Sequence, residues 1–118
     1  MHDHISWWVE LTIRPPDVNA YRDLTREMIE FARTEPGTLI YDRYLDNDGL
    51  TIHVFERYVD STAAVAHIRN FDVLFAHRFH GMIERKRFTV FGDPSTELRH
   101  LLDRFGARYV GLLDGFAA

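Results

Sequence analysis

A chain of 118 residues, 46% hydrophobic and 27% charged, fits one compact domain and excludes a disordered polymer. Fourteen Lys and Arg against eighteen Asp and Glu give a net charge of −4, which excludes the basic footprint of a nucleic-acid binder. The absence of cysteine excludes disulfides, thiolate catalysis and cysteine-ligated metal centres.

No apolar run approaches the roughly 20 residues that a membrane span requires. Met1-His2-Asp3-His4 lacks the basic-then-apolar plan of a signal peptide, so a flexible terminus over residues 1–4 and a cytoplasmic location are expected. Two excesses stand out: 14% aromatic residues and seven histidines.

Residues 5–13 alternate Ile5, Trp7, Val9, Leu11 and Ile13 against Ser6, Trp8, Glu10 and Thr12, the period of a strand with one apolar face. Pro15-Pro16 stops it, and Asp17 is placed to cap a helix carrying Val18, Tyr21, Leu24, Met28, Phe31 and Ala32 on one side. That helix should end near Glu35-Pro36-Gly37. Residues 38–45 and 51–59, rich in β-branched and aromatic residues, flank Asp46-Asn47-Asp48-Gly49 and read as a hairpin. Asp60-Ser61-Thr62 opens a second helix. Either Asp72 caps a third helix or one long helix to Glu84 bends near Asn70. Residues 87–92 form a fourth strand.

The resulting β-α-β-β-α-β order is the ferredoxin-like plan: an α+β domain with an antiparallel sheet. Residues 93–118 extend it. Asp93-Pro94 opens a helix with Leu98, Leu101, Leu102 and Phe105 on one face, Gly106 closes it, and residues 108–113 suit an edge strand. The whole chain, residues 1–118, reads as a single domain. Helices on one face of such a sheet leave the other bare, here with Trp8, Thr12, Tyr44 and Phe55. So much apolar surface predicts a homodimer joined sheet to sheet.

Three segments, Glu35-Pro36-Gly37-Thr38-Leu39, Phe55-Glu56-Arg57-Tyr58-Val59-Asp60 and Ala63-Ala64-Val65-Ala66-His67, together resemble the antibiotic biosynthesis monooxygenase (ABM) family over roughly residues 5–92. The resemblance implies a ferredoxin-like protomer that dimerises into an α+β barrel. It also implies chemistry drawn from cofactor-free oxygenation of phenols and quinols, haem degradation, or small isomerisations. The family's helix histidine, matched here by His67, lines the pocket between helix and sheet.

Ala64, His67, Ile68 and Phe71 share one helical face, so His67 should point at the sheet. A structural histidine and a proton-transferring one both satisfy that position. Glu56 shares a strand face with Ile52, Val54 and Tyr58, where an unpaired carboxylate is costly. Pairing with His67 would orient the imidazole for proton transfer; pairing with backbone amides or an arginine would merely tie helix to strand. His53, Phe55 and Arg57 then face the dimer interior; with opposite parity His53 joins the pocket. Trp8, Tyr41 and Phe75 are candidates to line a cavity for a small aromatic molecule.

His77, His80 and Glu84 spell H-x-x-H-x-x-x-E, but His77 lies well round from the side marked by Phe71, Phe75, Phe79 and Met82. A solvated polar face is the simpler reading, and neither a metal nor a cofactor is expected. The chain also lacks the first-strand Asn and second-helix Trp of haem-degrading and polyketide-oxygenase relatives. After His67 it reads Ile68-Arg69-Asn70-Phe71-Asp72, where quinol-oxidising and isomerase-like members often carry a Pro-His-aromatic step. Catalysis by His67 with Glu56 on a phenolic or quinol substrate is the leading expectation. A non-catalytic dimeric ligand-binding module and an isomerase using the same pair are the alternatives.

Overall fold

The alternation in the first strand decides the architecture, because every second residue must leave water. In a computed structural model, which describes residues 2–118, β1 (Ile5–Ile13) is the central strand. Ile5, Trp7, Val9, Leu11 and Ile13 are all at most 6% exposed. Met1, the first residue of the expected flexible terminus, lies outside the described residues. His2 and His4 follow without regular structure, their ring centroids 4.5 Å apart.

A 3-10 turn over Pro15–Asp17 leads into α1 (Val18–Ala32), which buries Tyr21, Leu24, Met28 and Ala32. Asp17 occupies the N-cap position but makes no side-chain capping bond. The hairpin of β2 (Thr38–Leu45) and β3 (Thr51–Tyr58) has the predicted bounds to within one residue. Asp48 closes its loop by accepting from the Leu50 and Thr51 amides, both at 2.8 Å.

Asp60 caps α2 (Ser61–Leu74), accepting from the Ala63 amide at 2.9 Å. Gly37 is required by that junction, since a Cβ there would collide with the Ala63 Cβ. The helix continues through both expected break points and yields to α3 (Ala76–Met82) only at Phe75. Asp72 caps nothing; it pairs with Arg104 at 3.1 Å.

The fourth strand, β4 (Ile83–Phe91), starts four residues before the expected point. Its pairing with β1 skips Lys86, since Glu10 faces Arg87 and Leu11 faces Arg85. A bulge of this kind breaks the two-residue alternation and hides the strand's first half from pattern reading. Glu84 consequently lies on a strand while His77 and His80 lie on α3, so the three do not share a helical face. Among the described residues, no group of three or more His, Asp or Glu is placed to hold a metal ion.

Ser95 caps α4 (Thr96–Asp103), which buries Leu98 and Leu102. The edge strand is shorter than expected, β5 (Arg108–Val110), and pairs parallel with β4. The sheet order is β2-β3-β1-β4-β5, four antiparallel strands with one parallel edge, and so mixed. Among the described residues no helix is long and apolar enough to cross a membrane.

Candidate active site

Between the helices and the sheet lies a cavity of about 70 Å³, walled mainly by Trp7, Leu11, Met28, Ile68, Phe71, Phe79 and Phe88. Leu102 and Phe105 of the C-terminal extension complete the wall, with Phe105 stacked on Phe88 at 6.1 Å. The extension is therefore part of the site rather than an appendage. The few polar groups in the lining are Tyr41, Arg43, Glu56, His67 and Arg85.

Strand parity brings three of these, Tyr41, Arg43 and Glu56, together with Tyr58. Glu56 and Tyr58 point from β3 to the helices, as their burial at 5% and 0% exposure shows. Tyr41 and Arg43 point the same way from β2, in register with Glu56 and Val54. Arg43 donates to Glu56 Oε2 at 2.6 Å, and the Tyr58 hydroxyl donates to Oε1 at 2.5 Å. The Arg43 guanidinium also lies over the Tyr41 ring at 3.4 Å. Such a cation over a ring face gains further when shielded from water.

His67, buried on α2, stands within this group. Its Nε2 is 3.5 Å from Glu56 Oε1, and its ring centroid is 4.9 Å from that of Tyr58 and 5.5 Å from that of Tyr41. The closer carboxylate is a different one: His67 Nδ1 and Glu35 Oε1 are hydrogen-bonded at 2.8 Å. Pro36 prevents α1 from continuing, and the turn that follows carries Glu35 across to α2. Asn70 and Thr38 donate to the two Glu35 oxygens, each at 3.2 Å. Hence Nδ1 is the donor to Glu35, the imidazole is held in one orientation, and Nε2 is turned toward Glu56 at 3.5 Å with no hydrogen bond among the described residues.

The electrostatics follow from burial and pairing. Burial pushes the Glu35 carboxyl up, but the hydrogen bond and charge of His67, helped by Asn70 and Thr38, hold it below its ordinary 4.5. Burial pulls the Arg43 pKa down, but the charge of and hydrogen bond to Glu56, together with Tyr41 and Tyr58, raise it above its ordinary value, so the guanidinium stays charged. Burial, followed by the charge of and bond to Glu56, drives the Tyr58 hydroxyl well above its usual 10, so it remains a donor. Burial raises Tyr41 likewise. Burial lowers the Arg85 pKa, and its Nε finds no hydrogen-bond partner among the described residues.

Of the residues singled out from sequence, His67, Glu56 and Tyr41 come together here. Trp8 and His53 lie on the opposite sheet face, where the Trp8 indole donates to His53 Nδ1 at 3.2 Å and the rings stack at 5.9 Å. Phe75 packs edge-on against Phe31 at the α2–α3 corner and does not line the cavity. Sequence reasoning gave no role to Glu35, Arg43 or Arg85. Glu35 could have been found as the acidic residue of the Glu-Pro-Gly turn; Arg43 could not, because only the hairpin register places it beside Glu56.

A sequence profile described as antibiotic biosynthesis monooxygenase matches residues 6–78. The chain belongs to the ABM family. The match ends within α3, so the walls supplied by β4 and α4 lie outside it. No curated protein matches this ABM chain. Among solved structures, MupZ from Pseudomonas fluorescens is similar over 100% of this chain and 91% of its own, at 22% identity and a TM-score of 0.87. That likeness includes residues 93–118. Rv0793 from Mycobacterium tuberculosis is similar over 78% of this chain and 96% of its own, at 25% identity and a TM-score of 0.62. SnoaB from Streptomyces nogalater, a cofactor-independent oxygenase, is similar over 80% of this chain and 96% of its own, at 12% identity and a TM-score of 0.67.

Proposed function

We propose that this ABM protein is a cofactor-independent monooxygenase of a small phenolic or quinol-type substrate, with His67 as its proton-transferring group. The observation that carries the reading is the buried imidazole with Glu35 on Nδ1 and Nε2 turned toward Glu56 at 3.5 Å. A carboxylate on one ring nitrogen fixes the tautomer and stabilises the imidazolium formed when the other takes a proton. Membership of the family and the likeness in fold to the oxygenase SnoaB support this class of chemistry.

In the proposed reaction, His67 Nε2 removes a hydroxyl proton and the electron-rich phenolate reduces O₂. One oxygen atom then bonds to a ring carbon and the other leaves as water. A hydroquinone and one O₂ thus give a hydroxyquinone and one H₂O, the substrate supplying all the electrons. Tyr41 would flank the ring, the charged Arg43 would hold Glu56, and Arg85 would offer its free Nε–H to developing negative charge.

The cavity's size sets a condition. About 70 Å³ is half the ~150 Å³ that admits a benzene ring, so a substrate enters only if wall residues such as Phe71 or Phe105 swing away. The same small volume favours the second reading, a dimeric module without turnover. Oxygen uptake separates the two. Metal- and flavin-stripped protein should consume one O₂ per hydroquinone, and His67→Ala should reduce the rate at least a hundredfold; absence of uptake over a panel of phenols and hydroquinones favours the module.

The protein is also proposed to be a homodimer, joined through the face that carries Trp8, Phe55 and the exposed Tyr44 and Phe91. Light scattering should give about twice the chain mass of 13.9 kDa, and Trp8→Arg should halve it. A wild-type monomer contradicts the assignment.

A further inference from the structure

A second and much larger opening lies between α1 and the β2–β3 hairpin. It holds about 520 Å³, within the range of small-molecule sites, against about 70 Å³ for the inner cavity. Its charge runs against that of the whole chain. Four arginines (Arg22, Arg26, Arg33 and Arg43) line it with a single carboxylate, Glu30, whereas the protein carries −4 overall. Among the described residues, Arg22, Arg26 and Arg33 form no ion pair, so this charge is not consumed within the protein.

The deep end is built from donors without partners. Tyr21 is only 2% exposed, yet its hydroxyl makes no hydrogen bond of good geometry among the described residues. Burial raises its pKa, against the opposing pull of the Arg43 charge and the neighbouring Thr25 hydroxyl, so the proton stays on the oxygen. The Thr25 hydroxyl, one helical turn on, lies beside the Tyr21 oxygen but likewise makes no hydrogen bond of good geometry among the described residues, and neither do Nε and Nη1 of Arg43. All three side chains line the opening. A buried donor left unpaired is costly, and several such atoms at one spot mark a place where an acceptor is missing. Beside them run the apolar side chains of Ile13, Ile29, Leu45 and Ile52.

We propose that this cleft binds a small organic carboxylate with an apolar body, its anionic head on Arg43, Tyr21 and Thr25 and its chain along the isoleucines. The apolar wall favours an organic acid over inorganic phosphate. A single negative charge suffices, because Arg43 already shares its charge with Glu56. Arg43 touches both openings, so the head group sits one guanidinium away from the Glu56–His67 pair. The site does not rest on the oxygenase reading, since binding is measured without turnover.

Amide NMR with three probes tests it: octanoate, its neutral counterpart octanamide, and inorganic phosphate. Octanoate should shift the Tyr21, Thr25 and Arg43 resonances saturably, and octanamide and phosphate should leave them unmoved. Tyr21→Phe, which keeps the ring in the core, should weaken octanoate binding about tenfold. Should that variant fold poorly, Arg26→Gln/Arg33→Gln alters only exposed side chains and should weaken binding about threefold. Shifts by phosphate alone, equal shifts by octanamide, or octanoate affinity unchanged in the folded variant overturn the proposal.

Discussion

Two histidine–carboxylate pairs occupy opposite faces of one sheet. On the helix-covered face His67 meets Glu35 at 2.8 Å, the side chains 8% and 12% exposed. On the open face His53 meets Asp46 at 3.3 Å, the side chains 31% and 53% exposed. Composition and residue types are alike; water is what differs. A pair kept from water holds an imidazole in one orientation, whereas an exposed pair is screened and contributes little. Cover, rather than the presence of a histidine beside an acid, selects the site.

The largest expected effect comes from breaking the covered face. Glu56→Ala leaves Arg43 buried without its carboxylate and should cost about 3–5 kcal/mol in chemical denaturation. A loss below about 1 kcal/mol would mean that water reaches Arg43 freely. Next, Gly37→Ala forces a Cβ onto Ala63 and should cost up to about 3 kcal/mol, displacing the turn that carries Glu35. A crystal structure of this variant should show the Glu35–His67 distance lengthened from 2.8 Å.

Glu35→Gln should cost about 1.5 kcal/mol at neutral pH, through loss of the charged hydrogen bond. The sign of its pH dependence follows from a folded-state pKa below the ordinary 4.5. Ionised Glu35 stabilises the fold above pH 4.5, and this contribution is lost as pH falls through 4.5 and then through the lower folded value. The stability gap between wild type and Glu35→Gln should therefore close as pH falls through and below 4.5. The smallest effect belongs to the open face, where Asp46→Asn should change stability by less than about 0.5 kcal/mol at any pH from about 5 to 8.

The covered face was largely legible in the sequence. Alternation in residues 5–13 and helical spacing from Ala64 to Phe71 placed Trp7, Glu56 and His67 on facing surfaces, because burial imposes those periods. On the open face alternation placed Trp8, His53 and Phe55 on one side, but the Trp8–His53 stack depends on cross-strand register, which a one-dimensional pattern does not carry. Partners escaped for the same reason. Arg43 reaches Glu56 across a strand pair, and Glu35 reaches His67 across 32 residues. The first half of β4 was hidden by the bulge at Lys86, and with it Arg85.

Turnover of a hydroquinone by two single variants, His67→Ala and His53→Ala, tests most directly the claim that the covered pair does the chemistry. Oxygen uptake should fall at least a hundredfold in His67→Ala and stay within about twofold of wild type in His53→Ala. Equal losses in the two variants, or full activity in His67→Ala, would contradict it.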